Sequence, residues 1–398
     1  MNDLRFAIPI AFLSAAIGEF LAVLLAALPV FRAPKDLHWT EFARRSWSAR
    51  RVITSGPALL LGMSIGIYGM VDVSEGSVLW TVGIPLAAWL GAVCGSAPLT
   101  GRVIGRPGGL GAAFGEYAVG FLVRSPGGMI YLLMFLLLIP RSFDAGSVAI
   151  VAVAFVVATA FTMGAGIPLI RLLGIISAAP PRLEKIVQDA CAKEKMPAQR
   201  VYLLHWRWAN AMAFSFAPAL AFTPACVDLL TDEELASICA HELAHRRETP
   251  RQKLIRFSGL ILALPAFSFP LWMKLFGIAG LIVPWAVYFI GMRLMRRFSQ
   301  RMEQRADAAA HQECGDPAIF ATALEKCYRY NMYPAVMRGK RQTHPHLYDR
   351  LVAAGVTPPY PRPKPPSNAL AFAGFVVLIA FSQGPPIAQW VLGLLNQG

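Results

Sequence analysis

The sequence predicts a mainly α-helical protein that crosses a membrane several times and carries, between its apolar segments, a polar portion with a small β-sheet and a His-Glu-x-x-His helix. Three observations predict this. The 398 residues are 56% hydrophobic and only 15% charged, with a mean hydropathy of +0.50, where an average soluble domain carries about 25% charge. Apolar runs recur that match the roughly 20 residues a helix needs to cross hydrocarbon. The formal charge of +14 lies mostly in short stretches flanking those runs, which is the pattern of membrane topology and not of a basic face for nucleic acid.

Taken in order, the first run covers 6–31. It is too long for a signal-peptide core and no small-residue cleavage site follows, so it is expected to remain as a first span. Glu19 sits midway along it, either as a functional group or as a protonated packing residue, since a bare carboxylate is costly there. Further spans are expected over 53–73, 78–97 and 147–170. The run 128–140 is short and crosses only with help from residue 117 onward, which would bury Arg124. Runs 260–273 and 275–290, joined near Lys274, read as a helical hairpin, and 369–395, interrupted by Gly384, Pro385 and Pro386, as the last span. That makes about eight spans.

The resulting division is 1–176 for the N-terminal spans (about five), 177–257 for a first polar block, 258–294 for the hairpin, 295–356 for a second polar block, 357–368 for a stiff Pro-rich linker, and 369–398 for the final span. Lys and Arg near span ends place 32–51, 101–124, 171–195, 246–256 and 293–305 on one side, while the opposite loops near 72–75 and 141–144 are short and more acidic. By the positive-inside rule both polar blocks face the cytoplasm of a multi-pass integral membrane protein. The six cysteines, Cys94, Cys191, Cys226, Cys239, Cys314 and Cys327, show no CxxC pair, so neither a disulfide framework nor a thiolate zinc site is indicated.

The chemistry lies in 231–245, TDEELASICAHELAH. Thr231 and Glu234 form a capping-box pattern that starts a helix. On it His241 and His245 stand four apart, so both imidazoles leave one face about one turn apart and can share a metal. Glu242, beside the first histidine, can reach a water at that metal without ligating it. Two neutral nitrogens with open positions suit one Zn2+ per chain, used to activate water and polarise a peptide carbonyl. Such a catalytic site needs a third protein ligand. Glu303, in 299–307 (SQRMEQRAD), is the best candidate; Glu303, Asp307 and His311 follow at four-residue steps along a probable helix stripe. Glu303 would ligate and Asp307 would accept a hydrogen bond from a bound imidazole; the plainer reading is a solvated face pairing Glu303 with Arg301 or Arg305. His311, a turn further, is expected at the surface.

Upstream, 201–223 alternates apolar and small residues around Pro218 and reads as short strands. Placed before the His-Glu-x-x-His helix, this segment is either an edge strand against which an extended substrate lies or a buried strand.

At this point the chain resembles the membrane-bound gluzincin metallopeptidases typified by HtpX and the CAAX prenyl proteases. The resemblance covers about 201–351 in four ordered pieces: Asn210-Ala211-Met212-Ala213, His241 to His245, Glu303-x-x-Ala306-Asp307, and THPHLYDR over 343–350. Gln300, Met212 and His346 depart from the family's commonest residues at their positions, and none is a proposed ligand. The resemblance implies a zincin-like catalytic domain with His241, His245 and Glu303 as zinc ligands, Glu242 as general base and Asp307 behind a ligand. It further implies that Asn210 and His344 lie near the scissile carbonyl, with Arg350 supporting them. His344 would steady an oxyanion and Arg350 would pair with a carboxylate of the site. The expected activity is metalloendopeptidase hydrolysis of peptide or protein substrates at the membrane, either in quality control of membrane proteins or in trimming a lipidated C-terminus. Two other functions fit parts of the sequence. A signalling metallopeptidase of the receptor type would need an external sensor that the short outer loops leave no room for, and a metal transporter using the His/Glu cluster would have no use for Glu242 in a base position.

Overall fold

The computed structural model describes residues 4–70, 82–124, 144–214, 216–255, 261, 272, 275–338 and 346–395. Along the chain run helices α1 (Leu4–Phe31), α2 (Trp39–Met70), α3 (Ile84–Ile104), α4 (Leu110–Arg124), α5 (Ala145–Ala160) and α6 (Ile167–Leu172), then strand β1 (Ile176–Ala178), helix α7 (Pro181–Lys193), and strands β2 (Arg200–Leu204), β3 (Ala211–Phe214) and β4 (Ala219–Phe222). Helices α8 (Pro224–Leu229), α9 (Asp232–Arg246), α10 (Ile278–Cys314), α11 (Pro317–Asn331), α12 (Leu347–Ala353) and α13 (Ala369–Leu395) follow. Among the described residues three stretches, Phe6–Phe31, Ile84–Ile104 and Ala145–Ala165, are long and apolar enough to cross a membrane, and 369–383 is a shorter apolar helix. The expected spans over 128–140 and 260–273 lie outside the described residues, Ile261 and Trp272 excepted.

The chain separates into two compact units, Met1–Ala118 with Pro365–Gly398, and Val119–Lys364. The helix α5, which hydropathy groups with the N-terminal spans, belongs to the second.

In the first unit α1 packs on α3, α2 and α13 around a core built largely of alanine: Ala15, Ala22, Ala26, Ala49, Ala88 and Ala92. Small residues let helix backbones approach closely. At Gly91 and Gly95, four apart on one face of α3, an added Cβ would collide with the carbonyl oxygens of Phe12 and Ala16. The helix α2 begins well before its apolar run because its first turn is fixed by charge. Glu41 accepts from Arg44 at 2.6 Å and from Arg45 at 2.7 Å, pairs one turn apart on the helix surface. Glu19 is 0% exposed, lies against Gly56, and its carboxylate oxygens have no hydrogen-bond partner among the described residues.

The second unit holds a four-stranded mixed sheet in the order β1-β2-β4-β3. Strand β4 is central and wholly buried, pairing parallel with β2 and antiparallel with β3, in the register Ala211 to Phe222 and Ala213 to Leu220. Strand β3 is therefore an edge. Its position is set locally: Asn210 N donates to Thr223 Oγ1 and Thr223 N to Asn210 O, both at 2.9 Å. Just before it, Asn331 brackets Ala209 through bonds of 2.9 and 2.8 Å to its amide and carbonyl. Leu183 and Val187 of α7, Leu220 and Phe222 of β4, Leu235 and Leu243 of α9, and Phe320 of α11 share one core.

Helix α10 runs unbroken for 37 residues. The second arm of the expected hairpin and the segment carrying Glu303 are thus one helix, because nothing between 290 and 300 breaks it: the stretch has a single glycine, Gly291, and no proline. The Pro-rich stretch forms neither helix nor strand and rests on α12, where Tyr360 is buried and Arg362 donates to Asp349 while stacking 5.6 Å over Tyr348.

Candidate metal centre and active site

Helix α9 starts with the expected capping box. Thr231 Oγ1 accepts from Glu234 N at 3.3 Å and Glu234 Oε2 accepts from Thr231 N at 2.9 Å. Lys326 of α11 holds the same Glu234 carboxylate at 2.7 Å. With the helix start fixed, His241 and His245 leave the face turned toward α10, their rings 4.9 Å apart and edge to face. Both are buried, as are Glu242, Glu303 and Asp307.

His241, His245 and Glu303 each offer one ligand atom within 4.8 Å of the others. The Nε2 atoms of His241 and His245 stand 3.6 Å from Glu303 Oε2 and Oε1 respectively. That separation is too long for good hydrogen bonds. It is close to the roughly 3.4 Å between ligands around a tetrahedral zinc with bonds of about 2.0–2.1 Å. The opposite nitrogens face carboxylates: His245 Nδ1 shares a 3.2 Å hydrogen bond with Glu248 Oε1, and His241 Nδ1 lies 3.2 Å from Asp307 Oδ1, close but not aligned as a hydrogen bond. Such partners fix the tautomer that turns Nε2 toward a metal. The donor set and its geometry therefore fit a zinc ion.

Asp307 is itself held by Arg350 of α12, whose Nη2 donates to Oδ1 at 2.5 Å. Phe320 closes the arrangement, stacked 5.4 Å from His241 and lying 5.5 Å beneath the Arg350 guanidinium. Burial opposes a charged His241, yet the carboxylates of Asp307, Glu303 and Glu242 outweigh it and raise its pKa to about 9 in the metal-free protein. Burial likewise opposes an ionised Asp307, and His241 with Arg350 pull its carboxyl below the usual range. A buried imidazole ringed by carboxylates is a setting that favours positive charge.

The edge strand is tied to the same helix, since Arg246, directly after His245, donates to Phe214 O at 2.8 Å. Asn210 is exposed at the head of β3, and Ala211, Met212 and Ala213 are half-buried along it. His344 lies outside the described residues. His346 is described, its Nδ1 accepting from Met337 N at 3.1 Å. His311 is not part of the three-residue cluster and is half-buried with its ring edge-on to Phe320, where the sequence suggested a surface position. Two participants escaped the sequence reading. Glu248 follows His245 at a helical spacing that could have revealed it; Phe320 has no local signal at all.

Residues 177–355 match the model of peptidase family M48. This part of the chain is similar to M48 peptidase domains. Curated relatives agree: the chain is 31% identical over 169 residues to a "Protease HtpX homolog" of Burkholderia cenocepacia (strain HI2424), covering 38% of this chain and 57% of the relative. It is 30% identical over 172 residues to one of Burkholderia mallei (strain SAVP1), covering 38% and 58%. The chain thus spans somewhat over half the length of these relatives.

Proposed function

We propose that the protein is a membrane-embedded, zinc-dependent metalloendopeptidase that hydrolyses peptide bonds of membrane-associated protein substrates at the cytoplasmic face. The observation that carries this reading is the convergence of His241 Nε2 and His245 Nε2 on the Glu303 carboxylate. The M48 match and the relatives described as proteases support it. His241, His245 and Glu303 would hold the ion. A zinc ion there supplies Lewis-acid polarisation of the scissile carbonyl and lowers the pKa of a water to about 7.

The chain's own residues do the rest. Glu242 takes the proton of the attacking water and returns it to the leaving amine. Asp307 and Glu248 keep the imidazoles aimed, and Arg350 keeps Asp307 ionised and in place. Among the described residues strand β3 pairs with β4 alone, which leaves its other side to suit an extended peptide bound through its backbone, and Arg246 ties the end of β3 to the helix of His241 and His245. His344, on the sequence resemblance, donates to the oxyanion that forms during attack. The distribution of Lys and Arg supports a cytoplasmic domain.

Purified protein in detergent, given casein or a labelled peptide, should cleave it, and a chelator should abolish cleavage until zinc is restored. Cleavage unaffected by chelation would end the metallopeptidase reading.

A further inference from the structure

Helix α10 joins two environments without a break. Residues 275–292 contain no charged side chain, and Ile282, Val283, Val287, Phe289, Ile290 and, just beyond, Leu294 are exposed on its first half. A continuous apolar surface of that kind is covered by lipid in a protein of this composition. Arg293, Arg296 and Arg297 follow in sequence, suited to the headgroup level. From Met302 onward one face turns inward, and Met302, Glu303, Ala306 and Asp307 are buried in the peptidase domain. One rigid rod therefore carries both the lipid-facing surface and a metal ligand.

The rod has a length. From Arg293 to Glu303 an α-helix rises about 15 Å at 1.5 Å per residue, and a typical tilt of about 20° lowers this only slightly. An extended substrate covers about 3.3 Å per residue. We infer that α10 fixes the height of the metal site above the hydrocarbon. The enzyme is then a juxtamembrane ruler, cutting anchored substrates at bonds about four or five residues outside their apolar anchor and sparing bonds within the first two. This rests on the metallopeptidase reading above and adds a rule for where the cut falls.

The test uses the full-length protein in liposomes of phosphatidylcholine and phosphatidylglycerol. A casein segment that the enzyme cuts, located by mass spectrometry, is placed after a transmembrane anchor of about 20 residues through spacers of roughly 2, 5, 10 and 30 residues, and is also offered unanchored. The unanchored segment should be cut in a chelator-sensitive way. The five-residue spacer should be cut fastest, and the two-residue spacer at least about a hundredfold more slowly, because the bond cannot reach the catalytic groups. The longest should fall off several-fold as its effective concentration drops. Equal rates for the two- and five-residue spacers, or rates independent of length, overturn the ruler while leaving the peptidase standing. No cleavage of any form, unanchored included, overturns the peptidase reading and the ruler with it.

Discussion

Replacing Asp307 by alanine removes one carboxylate from two buried partners at once. Arg350, 8% exposed, loses the acceptor of its 2.5 Å bond, and His241 loses the group 3.2 Å from its Nδ1. Stranding one member of a buried ion pair costs about 3–5 kcal/mol, so Asp307→Ala should lower the thermal midpoint of the metal-free protein markedly. Loss of the group that orients a ligand imidazole weakens metal binding by about 10–100-fold, or roughly 1.4–2.7 kcal/mol. The two effects separate in the double variant Asp307→Ala, Arg350→Met. Removing both charges should return the midpoint most of the way to wild type, because no buried charge is left unpaired. Zinc affinity should remain as low as in Asp307→Ala, because the imidazole is still unheld. Metal competition with a chromophoric chelator reads affinity, and a melt in the presence of strong chelator reads the fold alone. A double variant that regains wild-type zinc affinity, or Asp307→Ala binding zinc as tightly as wild type, would refute the claim that Asp307 orients His241.

Four further outcomes are expected. Glu242→Gln should stay folded and bind one zinc yet lose at least about a hundredfold in peptide cleavage; near-normal activity would remove Glu242 as the base. Glu303→Ala should lose most of its zinc by elemental analysis, and full occupancy would remove Glu303 from the ligand set. His241 in the metal-free protein holds its proton up to a pKa of about 9, and zinc takes only the neutral ring. Apparent zinc affinity should therefore climb with pH by about tenfold per unit and level off above about 9; a flat profile over pH 7 to 9 contradicts the proton competition. For topology, the native Cys239 is wholly buried and a poor reporter, so Glu233→Cys, at an exposed position on the same helix, is the better probe. An impermeant thiol reagent added to intact cells should miss it, and labelling would place the domain outside.

What the sequence revealed about the site and what it hid follow from the range of the interactions. His241, Glu242 and His245 lie within one turn, and Glu303 with Asp307 within another, so helical spacing alone lines them up. The capping box is equally local, and its two hydrogen bonds form as the Thr231 and Glu234 types dictate. The meeting of the two helices is not local: nothing in 299–307 says which helix its stripe will face, and pairing Glu303 with Arg301 or Arg305 was an equally plain reading. Phe320 is an ordinary core aromatic until it is seen between His241 and Arg350. The strand order β1-β2-β4-β3 was hidden for the same reason, since short runs announce strands but not their neighbours. The continuity of α10 was masked by chemistry, because a change from apolar to charged surface reads as a boundary although the helix passes through it without a break.

His241, Asp307, Arg350 and Phe320 form a closed ring of four contacts, each group held by two others. The ring draws on three separate helices besides α9's own, and its last member is made late. At about 5–20 residues per second of synthesis, the stretch between Glu303 and Arg350 takes roughly 2–10 s to emerge. During that interval a growing chain possesses His241, His245, Glu303 and Asp307 but lacks the arginine that closes the ring, so Asp307 is without the partner that holds it in the finished fold.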